Sequence, residues 1–223
     1  VLRLNTSSFY RLLRLLFDII IKSHGDKGRN GTFTLINLVM PQRILLNSGY
    51  SMIVALVWTA LFHLNDFFFN AAEVAPLVSL IFLPAVLRPV AVLLFGIPGA
   101  VGLMLGSALT IPIIETLNVS LVLTILSNGL VAWVVLAFMR LMPIYRSELT
   151  ADMSGLTLRT VIVLASLTAL VSSLTNSFIF SLSPDLSESS GLILFMLVGD
   201  TIGALLMLYL LSIFSQLVSK HFR

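Results

Sequence analysis

The 223-residue sequence has no cysteine. Disulfides, thiol chemistry and cysteine-ligated metals are therefore excluded, and the redox compartment leaves no mark. Charge is almost as scarce. Lys, Arg, Asp and Glu make up 10% of the chain, against about 25% in soluble domains. That is too little polar surface to cover a water-facing globule, so an ordinary soluble enzyme, a disordered chain and a nucleic-acid module are excluded. There are three histidines, His24, His63 and His221, and no two are close in sequence. No Ser/His/Asp set, His-Glu-x-x-His, phosphate-cradling glycine loop or ladder of acids for a proton relay is present. Neither enzymatic activity, a cofactor nor a metal is expected.

Long hydrophobic runs are what the chain does have. Hydrophobic residues make up 58% of it and the mean hydropathy is +1.06. The fold expected is all-α, a polytopic transmembrane helix bundle. Spanning a bilayer takes about 20 apolar residues, and six segments meet or approach that, at 44–65, 74–95, 98–114, 119–140, 159–182 and 190–216. Pro76, Pro84, Pro89, Pro98 and Pro112 chop the second and third, so a broken or re-entrant helix is expected near 76–98. The organisation read is an N-terminal region 1–43, a transmembrane domain 44–216 and a short basic tail 217–223.

Charges sort along this frame. With both termini cytoplasmic, twelve of the thirteen Lys and Arg lie in 1–43, the 140–159 loop or the tail, and the outer loops hold only acids. This is the positive-inside pattern. In the N-terminal region Arg11, Arg14, Asp18 and Lys22 recur at helical spacing amid Leu, Phe and Ile. Such a stripe fits a helix lying on the membrane surface or against a partner subunit. The apolar run 9–21 is interrupted by charge and lacks a small-residue cleavage site, so it does not read as a signal peptide.

Ionisable groups at membrane depth are costly and face the bundle interior. Arg88, the thirteenth basic residue, lies inside the second segment, and Asp200 lies ten residues into the last. The two are expected to share an interior cavity, as a buried ion pair or as part of a ligand site, with Arg88 snorkelling to the inner surface as the other outcome. Asn128 and Asn176 sit in apolar segments, where amides cross-link helices. His63 reads as an interfacial residue rather than a ligand. Gly99, Gly102 and Gly106, and then Gly199 and Gly203, give smooth faces for close helix packing.

Several strings resemble a known family. Phe82-Leu-Pro-Ala-Val-Leu-Arg-Pro89, Leu93-Leu-Phe-Gly96, Gly102-Leu-Met-Leu-Gly-Ser107, Asn128 and Gly199-Asp-Thr-Ile-Gly203 are similar to elements of bacterial membrane-associated sensor domains of the MASE type, over roughly 45–216. The resemblance implies a multi-pass protein of the bacterial inner (cytoplasmic) membrane. Family members usually end in a cytoplasmic histidine-kinase or cyclic-dinucleotide domain, whereas this sequence holds seven residues after Gln216. A sensory or accessory module is expected, with a small-molecule ligand or another membrane protein as partner besides the bilayer. The alternatives are the substrate-binding membrane subunit of a vitamin-type transporter and a structural subunit of a larger membrane complex.

Overall fold

A computed structural model describes residues 36–75, 78–110, 119–146, 148–149, 157–182 and 192–221. The Arg11, Arg14 and Lys22 stripe and the expected outer loops at 115–118 and 183–189 lie outside the described residues. The chain forms two compact units, one of Ser48–Leu206 and one of Val1–Asn47 with Met207–Arg223. In the second unit the described residues are helical. The packing and the cavity described below belong to Ser48–Leu206.

Among the described residues the fold is almost entirely helical. Helix α1 runs Ile36–Phe69. A 3₁₀ turn, Asn70–Ala72, leads into a two-stranded antiparallel ribbon, β1 Glu73–Ala75 and β2 Val78–Ser79, with Glu73 opposite Ser79 and Ala75 opposite Val78. A second 3₁₀ turn, Leu83–Val86, opens α2, Leu87–Phe95. Then come α3 Ile97–Thr110, α4 Val119–Leu141, the single turn α5 Pro143–Arg146, α6 Leu158–Ser181 and α7 Ile193–His221. Among the described residues four helices, in α1, α4, α6 and α7, are long and apolar enough to cross a membrane. The outward faces of the bundle are apolar, with Leu45, Phe67, Leu109 and Leu141 each at least 65% exposed.

One expected boundary needs correction. Asn65 and Asp66 were read as the end of the first segment, yet α1 continues through them to Phe69. Asn65 is buried, because its amide has a backbone partner rather than water. The break expected near 76–98 is present: segment 74–95 is divided into ribbon, 3₁₀ turn and the 9-residue α2. Pro84 sits in the 3₁₀ turn and Pro89 is the third residue of α2. There its missing N–H costs no helical bond, since first-turn amides have no intrahelical acceptor. Of the third segment, 98–114, the described part belongs to the 14-residue α3.

Helices α2 and α3 fold back on each other at Gly96, whose φ of 61° is open to glycine and strained for other residues. Pro98 sits in the first turn of α3. A Cβ at Gly99 would meet the carbonyl of Ala91, so the two helices touch backbone to backbone. The same helix then lies against α1. Cβ positions at Gly102 and Gly106 fall 2.6 Å from the Ser51 carbonyl and 2.7 Å from Trp58. Ser51 Oγ donates to the Pro98 carbonyl at 2.9 Å, and Trp58 Nε1 donates to Thr110 Oγ1 at 3.2 Å. Gly129 of α4 is as close to the Ala100 carbonyl. Small residues thus bring α1, α2 and α4 within backbone contact of α3, which favours association where lipid supplies no hydrophobic drive.

Candidate functional site

The stretch after β2 is neither helix nor ladder, yet each of its amides has an acceptor. Leu80 N–H donates to the Ala72 carbonyl at 3.0 Å, and Ile81 N–H to Ser79 Oγ at 3.3 Å. Phe82 N–H donates to the Gly199 carbonyl of α7 at 3.2 Å, and Leu83 N–H to Asn65 Oδ1 of α1 at 2.8 Å. Unpaired backbone in an apolar interior is costly, so these bonds fix the stretch between α1 and α7. Gly199 and Gly203 were expected to admit a facing helix. They admit this stretch instead, since Cβ atoms there would collide with the carbonyls of Ser79 and Phe82.

So positioned, the stretch walls a cavity of about 130 Å³. Helix α1 contributes Trp58, Phe62, Asn65, Asp66 and Phe69, with Asn70 and Glu73 following. Val78, Ser79 and Phe82 close one side, and Arg88 comes from the first turn of α2. The rest of the wall is Ser107 and Thr110 of α3, Thr124 and Asn128 of α4, Asn176 and Phe180 of α6, and Met196 and Asp200 of α7. Every helix except the single turn α5 contributes, from the end of the bundle nearest Asn65 and Glu73.

Arg88 and Asp200 meet in this wall. Arg88 Nη1 donates to Asp200 Oδ2 at 2.5 Å, with the two residues 5% and 7% exposed. The guanidinium also lies over two rings, 5.6 Å from the centroid of Trp58 and 5.4 Å from that of Phe82, which contact each other edge to face. Charge neutralisation and cation–π attraction together offset the desolvation of both ions. Arg88 therefore does not snorkel.

The amides form a second polar line. Asn128 Nδ2 donates to Ser107 Oγ at 2.7 Å. The Ser127 hydroxyl lies 2.8 Å from the Thr124 carbonyl and 3.1 Å from Asn176 Oδ1. Its single proton serves one of them at a time, and both contacts are met when the Asn176 amide turns its Nδ2 toward the hydroxyl. Asn176 and Asn128 thus bind neighbouring residues of the bundle and also line the cavity. His63 is exposed on α1 and lies away from it.

Two buried polar atoms of wall residues have no partner among the described residues, Arg88 Nε and Asn128 Oδ1. One is a donor and the other an acceptor. Turning the Asn128 amide over exchanges which half meets Ser107, and in both orientations one half is left unpaired. Buried polar atoms of this kind are uncommon and call for a partner.

The composition of the site is that of a binding pocket: aromatic walls, a few convergent polar groups and one ion pair. Among the described residues no group of three or more His, Asp or Glu is placed to hold a metal. Sequence reasoning did not propose Trp58, Asn65, Phe82, Ser107 or Thr110 as site residues. Thr110 alone stands one helical turn from a residue it did select, Gly106. No family model, curated protein or solved structure matches the chain.

A separate polar cluster lies between α5 and α6. The Glu148 carboxylate accepts from Thr157 Oγ1 at 2.8 Å and from Thr160 Oγ1. Thr157 Oγ1 also accepts from Thr160 N–H at the start of α6. The Thr160 hydroxyl first, then that of Thr157, hold the Glu148 carboxyl below its ordinary range, and Arg159 adds to this.

Proposed function

We propose that the protein is a non-catalytic, multi-pass membrane protein that binds a small molecule in the Arg88–Asp200 cavity, as a sensory or accessory module. One observation carries this reading: Arg88 Nε and Asn128 Oδ1 belong to wall residues of a polar-lined cavity and lack partners. A bilayer-embedded bundle held only by packing gains nothing from an unsatisfied donor and acceptor, each costing about 1–3 kcal/mol. A ligand that pairs with them recovers that cost.

In this reading the protein lies in a bacterial inner membrane with both termini cytoplasmic, which leaves the acidic cavity end facing outward. Helices α2 and α3 form a re-entrant pair. Their turn is level with Ser51, through the Pro98 contact. The start of the pair is level with Asn65, through Leu83. Fourteen residues of α1 separate these levels, roughly 21 Å of helical rise, against a hydrocarbon core of about 30 Å. The pair thus enters and returns beside α1. Non-helical backbone at such depth is tolerated where it is buried in protein or lines a cavity, and the stretch from Ser79 to Val86 does both.

Native mass spectrometry of protein extracted in mild detergent tests the ligand. A small non-covalent adduct is expected on the wild type and not on Asn128→Leu, which removes one polar contact and fills space. Absence of any adduct, together with no thermal stabilisation by a small-molecule library, would refute the ligand reading. For orientation, an impermeant thiol reagent on intact cells should label Ser187→Cys and not Ser154→Cys, and the reverse pattern would overturn it.

A further inference from the structure

We infer that the ligand is a small organic cation of quaternary-ammonium type that also carries a hydroxyl or carbonyl, bound with its charge toward the cavity mouth. This rests on the ligand reading above. Among the described residues, the ionisable ones lining the cavity are three carboxylates, Asp66, Glu73 and Asp200, and one guanidinium, Arg88. Asp200 is matched by Arg88. Asp66 and Glu73 are both exposed, at the end of α1 and in β1, so the entrance is acidic. Clefts lined by one sign of charge concentrate the opposite ion, and an anion meets repulsion before it reaches Arg88.

The walls agree with that sign. Trp58 and Phe82 are occupied by Arg88. Phe62 and Phe69 line the same cavity on the α1 side, near Asp66, and take no part in the Arg88 contacts. Aromatic faces beside carboxylates hold alkylammonium groups by cation–π attraction. Deeper in, the unpaired atoms are a donor, Arg88 Nε, and an acceptor, Asn128 Oδ1, on residues that are each 5% exposed. A hydroxyl can satisfy either and a carbonyl only the first. Size sets a further limit. At about 130 Å³ the cavity is slightly smaller than one of about 150 Å³ that holds benzene, so roughly six to eight heavy atoms fit.

The test uses three probes of one shape: choline, its neutral carbon isostere 3,3-dimethylbutan-1-ol, and the anion pivalate. Each is titrated into the purified full chain in detergent, with melting temperature and tryptophan fluorescence as readouts. Choline is expected to raise the melting temperature and alter the fluorescence, and the other two at equal concentration to do neither. Asp66→Asn with Glu73→Gln should weaken choline binding at least tenfold. Two results overturn the inference: no response to choline, or a response to the alcohol or to pivalate at least as large. In the second case the ligand reading stands and only the charge class falls. In the first, that reading is decided separately, by the adduct on the native protein.

Discussion

Along α3 the backbone satisfies itself, and the helix approaches its neighbours through Gly99, Gly102 and Gly106. Between Asn70 and Val86 the backbone does so only in part: the amides from Leu80 to Leu83 take acceptors from four other elements, Ala72, the Ser79 hydroxyl, Gly199 and Asn65. Both regions are packed in the same bundle. The regular one is held by shape, so its neighbours are interchangeable within a size limit. The irregular one is held by named bonds, each from a different element, and those bonds enclose the cavity. Where a helical protein departs from helix, it concentrates its specific interactions, and that is where a ligand finds polar groups.

The largest effect expected from breaking this arrangement is at the ion pair. Arg88→Gln or Asp200→Asn leaves one buried charge alone, which costs about 3–5 kcal/mol. Thermal unfolding in detergent should show that loss in each single variant and partial recovery in the double variant. Strictly additive losses would mean that the pair is not coupled. Next come the glycines of α7. Gly199→Ala or Gly203→Ala drives a Cβ into backbone that cannot rotate away, costing roughly 3 kcal/mol, the upper part of the overpacking range. Gly49→Ala is the control: a Cβ there meets nothing within 4 Å, and it should be neutral or stabilising by up to about 1 kcal/mol. If the three variants melt alike, the close approach of α7 to the Ser79–Phe82 stretch is absent.

Asn65→Ala should cost less, about 1–2 kcal/mol, because it strands one backbone N–H in the interior. Asn65→Asp keeps an acceptor for Leu83 and should melt above Asn65→Ala. The reverse order would mean that the amide does not hold the stretch. The smallest effect lies outside the spans. Glu148 has a folded pKa below its unfolded value, so its contribution is present above the ordinary carboxylate range and fades as pH falls through the folded value. The melting temperature of the wild type should exceed that of Glu148→Gln at pH 7, and the difference should shrink toward pH 3. A difference independent of pH would remove the carboxylate from the account.

How much of this could be read in advance follows the same division. Segments 119–140 and 159–182 lie within one residue of the ends of α4 and α6, because long apolar runs bounded by polar residues leave little choice. Arg88 and Asp200 were readable as partners because so few charges lie in apolar sequence. Asn65 was not: an Asn-Asp pair before a polar stretch signals a turn when only neighbours are seen, and its actual partner is 18 residues away. Phe82 and Trp58 look like any aromatic of a membrane segment, and only the fold shows that both face one guanidinium. The ribbon was hidden for a related reason. Its residues are apolar enough to pass for part of a span, and the prolines around it show that the helix breaks without showing what replaces it.

The contact between α7 and the Ser79–Phe82 stretch also has an evolutionary side. It constrains its two partners unequally. On α7 only hydrogen fits at positions 199 and 203, while the opposing surface offers main-chain carbonyls that every amino acid carries. Drift should therefore be free at position 79 as far as this contact is concerned, and arrested at the two glycines. No substitution across the seam can compensate for their loss, because an oxygen of the peptide unit cannot be made smaller. Among descendants that keep the seam, these glycines would stand as invariant columns with no covarying mate, a pattern that pairwise coupling methods overlook.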